Sequence, residues 1–298
     1  MSNPRTTGIA LALISGVLFA LYPVFFRFAN ASGLNTMTVL VYRFLLASLV
    51  AWPLVLRSGH IKLPPAHAAG FVLMGLLYVI ESTLYLLSTQ YVPIALTSIS
   101  LYLYPACVTL LARIFLREAL TQRKIVALLI ALVGAVLTVG APGASVNLIG
   151  VGLGLAGCLV YSCYLIIGTK LQARAPALTA TAYIQLSGGV IALGLGLMAL
   201  PLGLVSFTFH PIHPINDART LLLMALMAVF ATALPILSLL SSMQRIGASL
   251  ASILSMTELV ATALFGVMVF GELLQPLQWL GGALAILAVM LLSLKPTR

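Results

Sequence analysis

The sequence predicts an all-α integral membrane protein: ten transmembrane helices arranged as two inverted five-helix repeats around a central cavity. Three observations carry that reading. The composition is too poor in charge to face water, the apolar runs are about twenty residues long, and an acidic pair, Glu118 and Glu272, recurs at a spacing of 154.

Composition comes first. Of 298 residues, 62% are hydrophobic and 7% are charged, with mean hydropathy +1.17. A soluble domain carries about 25% charged residues to cover its surface. Lipid must therefore solvate the exterior, and a bilayer accepts only helices or a closed barrel because backbone groups need internal partners. Unbroken runs, rather than ten-residue alternating segments, select helices. The formal charge of +10 does not indicate nucleic acid, because the basic residues stand singly between apolar runs. Cys107, Cys158 and Cys163 fall inside those runs without metal-ligand spacing and read as small packing residues. The first run continues through Phe28, too long for the apolar core of a signal peptide.

Turn residues divide the chain into expected spans at 8–28, 35–56, 67–90, 93–115, 124–141, 148–169, 179–200, 219–242, 247–270 and 277–294. An even number of spans puts both termini on one side. With that side inside, Arg5, Arg57, Lys62, Arg117, Arg123, Lys124, Lys170, Arg174, Arg245, Lys295 and Arg298 are cytoplasmic, leaving chiefly Arg219 and Arg27 opposite. The asymmetry places both termini in the cytoplasm of a plasma (inner) membrane.

Next comes the repeat. A shift of 142 lays Gly8, Leu11, Leu13 and Tyr22 on Gly150, Leu153, Leu155 and Tyr164. A shift of 154 lays Leu96, Ser98, Ile99, Leu110, Glu118 and Leu120 on Leu250, Ser252, Ile253, Leu264, Glu272 and Leu274. Shared leucines mean little, but only five acidic residues exist, so the Glu118/Glu272 match is informative. Halves of five spans each, residues 1–143 and 144–298, must insert in opposite senses. Such inverted repeats typify secondary transporters with a midplane substrate site.

The segments Phe115-Leu116-Arg117-Glu118-Ala119-Leu120 and Val269-Phe270-Gly271-Glu272-Leu273-Leu274, with Trp279 to Leu284, Tyr42 to Ala47 and Pro105, resemble the drug/metabolite transporter superfamily in its ten-helix EamA-type branch. The resemblance covers essentially the whole chain. It departs at Leu259, where a second-half proline is common, and at Gln185, which the shift of 142 lays on Arg43. It implies a basket of two inverted halves that exports metabolites such as amino acids, purines or drugs, nearest to the aromatic and neutral amino-acid exporters.

Polar and aromatic stripes mark candidate cavity walls. Tyr78, Glu81, Ser82, Tyr85 and Thr89 share a face of the third span, and Ser98, Tyr102, Pro105 and Thr109 share one of the fourth. Ser15, Phe19 and Tyr22 on the first span mirror Gly157, Tyr161 and Tyr164 on the sixth. Ser238, Ser241 and Ser242 cluster on the eighth, and Ala251, Ser255, Glu258 and Thr262 align on the ninth. The substrate-binding set expected from these stripes is Tyr22, Tyr78, Glu81, Tyr85, Ser98, Tyr102, Tyr161, Tyr164, Ser238, Ser242, Ser255 and Glu258. The same stripes also suit plain helix packing. Spans two, five, seven and ten are plainer and are expected as the outer wall.

Glu81, Glu258 and Arg43 are the deepest charges, and each must face protein or water, since a mid-bilayer charge costs about 2.5–3.5 kcal/mol on insertion scales. Arg43 is expected as a structural charge, with a clamp to Glu81 as one option and substrate or proton binding at Glu81 or Glu258 as the other. Glu118 and Glu272, just before spans five and ten, suit the positive end of a helix. His210-Pro211-Ile212-His213-Pro214 lacks a cysteine partner and lies in a loop, so no metal is expected. No phosphate-binding glycine loop appears, so no ATPase and no cofactor are expected. The expected partners are a small-molecule substrate and membrane lipid, and an enzyme is not expected because the histidines lie in or near loops rather than in a catalytic group. A channel-like facilitator stays open as an alternative, as do nucleobase or drug carriage.

Overall fold

The computed structural model describes residues 3–59, 63–92, 94–139, 147–172, 175–198 and 212–293. All regular structure in them is helical. In chain order the helices are α1 (Pro4–Phe19), α2 (Leu21–Ala31), α3 (Thr36–Ser58), α4 (Pro65–Ser88), α5 (Ile94–Leu101), α6 (Tyr104–Phe115) and α7 (Gln122–Val139). There follow α8 (Leu148–Gln172), α9 (Ala177–Met198), α10 (Ala218–Ala228), a π-turn (Val229–Ala233), α11 (Leu234–Ile246), α12 (Ala248–Ser255), α13 (Thr257–Phe270) and α14 (Pro276–Ser293). Among the described residues nine segments are long and apolar enough to cross a membrane. Residues of the fifth expected span form α7, an 18-residue helix packed along α14 that is not among those nine. The expected connection at 143–147 and residues His210 and Pro211 lie wholly or mostly outside the described residues.

Four expected spans are not single helices. The first breaks at Ala20, three residues before Pro23 in the next helix turn. The fourth breaks at Tyr102-Leu103, ahead of Pro105, whose ring cannot continue the preceding hydrogen-bond ladder. The eighth widens into the π-turn just before Pro235, which has no N–H to donate. The ninth breaks at Met256 without a proline. Three hydroxyls act there instead: Ser252, Ser255 and Thr257 donate back to the carbonyls of Ser249, Ala251 and Leu254. Such back-bonding competes with the backbone ladder. Shifting Tyr102 by 154 gives Met256, so the two breaks occupy matching positions of the two halves despite Leu259 standing where a proline was expected.

The helices pair closely across the halves. The most extensive contacts join α7 to α14, α3 to α9, α4 to α8 and α1 to α11, with α6 against both α8 and α12. Small residues permit the approach. A Cβ on Gly16 would lie 2.9 Å from the Ser255 carbonyl oxygen and 3.0 Å from the Glu258 nitrogen, so α1 passes directly over the α12/α13 break. Helix clasps run from Ser15 Oγ to the Pro235 carbonyl and from Ser242 Oγ to the Gly8 carbonyl, each at 2.8 Å.

Helix ends α6 and α13 share one design. Arg117 (φ 56°) and Gly271 (φ 66°) adopt the left-handed conformation that closes a helix, and the next residue donates its N–H back six positions, Glu118 to Ala112 and Glu272 to Gly266. The repeated motif thus fixes both glutamates. Glu118 caps a helix N-terminus as expected, but that of α12 rather than of the following α7: Oε1 accepts the Ala248 N–H and Oε2 pairs with Lys124. Glu272 pairs with Arg27 at 2.6 Å, and Arg27 also lies over the Phe270 ring. At the start of α10, Asp217 accepts the Thr220 N–H, which holds its carboxyl below the usual carboxylate range.

Candidate functional site

The helix breaks and the tyrosines converge. Tyr22 follows the break at Ala20, Tyr102 lies in the α5/α6 break, and Glu258 is the second residue after the α12/α13 break. Aromatic rings run in an unbroken chain between the halves. Tyr78 on α4 stacks on Tyr164 on α8 at 5.6 Å, and Tyr164 stacks on Tyr161 at 5.7 Å with planes 9° apart. Tyr161 meets Tyr104 edge-on at 5.0 Å, and the Tyr104 hydroxyl donates to the Ser252 carbonyl on α12 at 3.3 Å. Tyr161 and Tyr164 fall on one face because they are three residues apart on a helix.

Arg43 enters this group from α3. Its guanidinium donates to the Tyr78 hydroxyl at 3.0 Å and lies over the rings of Tyr22 (4.5 Å) and Phe44 (4.6 Å). Aromatic faces attract a desolvated cation by roughly 2 kcal/mol, which makes the position tenable for a side chain only 3% exposed. The clamp to Glu81 does not form as an ion pair; Glu81, also buried, accepts from Ser82 Oγ at 3.2 Å. The second span, expected as plain outer wall, thus supplies Arg43 and Phe44 to the centre. Buried Gln185, which the shift of 142 lays on Arg43, has no hydrogen-bond partner on either amide atom.

The remaining expected residues divide. Tyr85 and Ser98 share a 3.0 Å hydrogen bond beside the cluster. Tyr102 is half-buried and packs against both large apolar clusters of the protein. Glu258 is half-buried. Ser242 and Ser255 are buried and donate to helix carbonyls, and Ser238 is buried on α11. Two ring-chain members, Phe44 and Tyr104, were not expected. Tyr104 lies off the stripe of Ser98 and Tyr102 because two residues on a helix turn it by about 200°, and the Tyr104-Pro105 pair was its only signal. The cysteines are free thiols, with Cys107 and Cys158 sulfurs 3.7 Å apart between α6 and α8.

Chemically, the group offers flat π-faces, tyrosine hydroxyls, one buried cation and two carboxylates, a set able to bind a small molecule reversibly. A solved structure described only as a crystal structure of a protein superposes with a TM-score of 0.81 over 96% of each chain at 16% identity, a likeness of fold. Among curated proteins none matches. The profile of the EamA-like transporter family matches residues 6–140 and 148–294. With nearly all of both halves matched, the chain belongs to the EamA-like transporter family.

Proposed function

We propose that the protein is a secondary carrier that exports small neutral or partly apolar metabolites, amino acids including aromatic ones among them, by alternating access to a central site. Family membership supplies the coarser part, a membrane transporter of small solutes. The observation that carries the finer reading is the meeting of the tyrosine chain with helices broken at matching positions, Tyr102-Leu103 and Met256. Interrupted spans in corresponding positions of two halves point to a transporter's binding site.

In this reading α7 crosses the membrane as the fifth of ten spans, and residues 1–143 and 144–298 are inverted repeats. The helix contacts support it. Exchanging the halves turns the α3–α9 and α7–α14 contacts into themselves and turns α1–α11 into α8–α4. The basic residues of the Arg117–Lys124 connection, against the single charge of 271–275, support the reading that both termini are cytoplasmic, in the plasma (inner) membrane. Stacked rings suit an apolar or aromatic side chain, and Arg43 with Glu81 or Glu258 gives complementary charges for a zwitterion.

Counterflow in proteoliposomes tests the proposal. Vesicles preloaded with unlabelled phenylalanine should accumulate labelled phenylalanine transiently above its equilibrium level. Flux linear in concentration without counterflow would make the protein a channel, and counterflow with nucleobases but not amino acids would remove the substrate assignment.

A further inference from the structure

Among the described residues, three cations lie over aromatic rings. Arg43 does so at the centre; the other two stand at the far ends of the helices that follow the matching breaks. Arg27, near the end of α2, lies 4.2 Å from the ring centre of Phe270, the last residue of α13. Lys170, in the last turn of α8, lies 5.3 Å from the ring centre of Phe115, the last residue of α6. Each contact joins the two halves of the chain. Shifting Arg27 by 143 gives Lys170 and shifting Phe115 by 155 gives Phe270, each one residue beyond the shifts that relate the halves. Exchanging the halves turns one contact into the other, to within one residue.

The two are unequal. Arg27 also pairs with Glu272 at 2.6 Å, and Phe28 meets the Phe270 ring at 5.6 Å. Lys170 takes part in neither of the described ion pairs, and Glu118, which the shift of 154 lays on Glu272, serves the Ala248 N–H and Lys124 instead. Exposed contacts of both kinds are individually weak. Weakness suits a joint that must open, because a second conformation stays populated only when the gap between the two is small.

We propose that these contacts are paired latches at the two entrances of the carrier, with Arg27, Phe270 and Glu272 holding the α13 end shut and Lys170 with Phe115 holding the α6 end. The α13 latch has more members, so the resting protein opens preferentially at the α6 end. The inference rests on the alternating-access reading given above. In the orientation of that reading the α6 end is cytoplasmic, the side from which an exporter loads.

Accessibility tests it without reference to a substrate. In the full-length protein lacking its three native cysteines, Ser98→Cys, beside the tyrosine chain, is labelled with a membrane-impermeant maleimide from either side of sealed vesicles. Labelling should be faster from the α6 side. Arg27→Gln/Glu272→Gln should raise the rate from the α13 side about five-fold, and Lys170→Gln should raise that from the α6 side about two-fold, the sizes expected of exposed ion pairs and cation–ring contacts. Arg57→Gln, in the last turn of α3, is the control and should change neither rate. If the Gln pair does not fold, the exchange Arg27→Glu/Glu272→Arg must label as the parent does while Arg27→Glu alone labels faster from the α13 side. Unmoved rates in the latch variants overturn the proposal, as does an equal rise in the control. Equal rates from both sides in the parent overturn the bias toward the α6 end. Phenylalanine counterflow is read in the same vesicles: labelling that responds as expected without counterflow keeps the latches and removes the substrate assignment, whereas counterflow with unmoved labelling removes the latches alone.

Discussion

Glu118 Oε1 accepts the Ala248 N–H at 2.7 Å, so the connection after α6 caps the first turn of α12 in the other half of the chain. A helix N-terminus has backbone donors without intrahelical partners, and Gly247, at φ 81°, leaves room for the carboxylate to approach. Glu118→Ala should strand that donor and lower stability by about 1–3 kcal/mol. Glu118→Gln keeps an acceptor and should lose less. Unfolding temperatures in detergent compare the two, and equal losses would show that the Lys124 ion pair, not the cap, holds the joint.

The left-handed residues at the ends of α6 and α13 make an internal comparison. Arg117 adopts φ 56° with a Cβ, whereas Gly271 adopts φ 66° without one. A Cβ in this region costs roughly 1–2 kcal/mol. Arg117→Gly should therefore raise the unfolding temperature and Gly271→Ala should lower it. Changes of the same sign in both variants would contradict the matched helix ends.

Ring and hydroxyl should separate at the tyrosines. Tyr78→Phe removes the acceptor of the Arg43 guanidinium and should destabilise by about 1.5–3 kcal/mol, the range for bonds to charged groups. Tyr164→Phe keeps the stacking and should leave stability near wild type. Tyr78, Tyr85, Tyr102 and Tyr164 replaced one at a time by Ala should shift the relative counterflow of phenylalanine and leucine. Tyr183, which packs on Trp52 at 5.2 Å, is the control. Equal loss of flux in Tyr183→Ala at equal expression would move the site elsewhere.

Glu258 opens α13 directly under Gly16 of α1, and neither of the described ion pairs involves it. Arg245, the nearest preceding cation in the sequence, belongs to α11, before the Gly247 turn, so α12 and α13 carry no cation. Glu258→Gln keeps the shape and removes the exchangeable proton, so it should abolish counterflow or flatten its pH dependence. Wild-type flux with an unchanged pH profile would leave Glu258 structural and put any proton coupling on Glu81.

Opposed insertion of the halves is testable by accessibility. Thr121 and Leu273 lie in connections that the shift of 154 makes equivalent, and both are exposed. In a variant lacking the three native cysteines, Thr121→Cys should label from the cytoplasmic side and Leu273→Cys from the opposite one. Labelling of both from one side would remove the inverted repeat.

The sequence exposed the helical class, most boundaries and the Glu118/Glu272 relation because these rest on composition, turn residues and rare acids. Tyr78, Tyr161 and Tyr164 were legible for the same reason, being polar marks at helical spacing. The α12/α13 break was not, because serine and threonine hydroxyls make it and such residues occur in intact membrane helices too. Arg43 was read toward Glu81 because opposite charges invite pairing, whereas in the fold its planar cation sits among aromatic faces. Whether a hydroxyl such as that of Ser242 faces a cavity or a neighbouring carbonyl depends on the partner helix, which no local pattern specifies.

Under the proposed alternating access, the broken spans would serve as levers. Helix α6 has 12 residues beyond its break, about 18 Å of rigid rod at 1.5 Å per residue. A change of roughly 20° at such a kink carries the far end sideways by about 6 Å, the width of an aromatic ring with its contacts. The rod itself need not bend or lose a hydrogen bond, since the discontinuity already exists at Tyr102-Leu103. In the alternating-access reading proposed above, α6 and α13 would be the rods that close opposite mouths about the matching breaks at Tyr102-Leu103 and Met256.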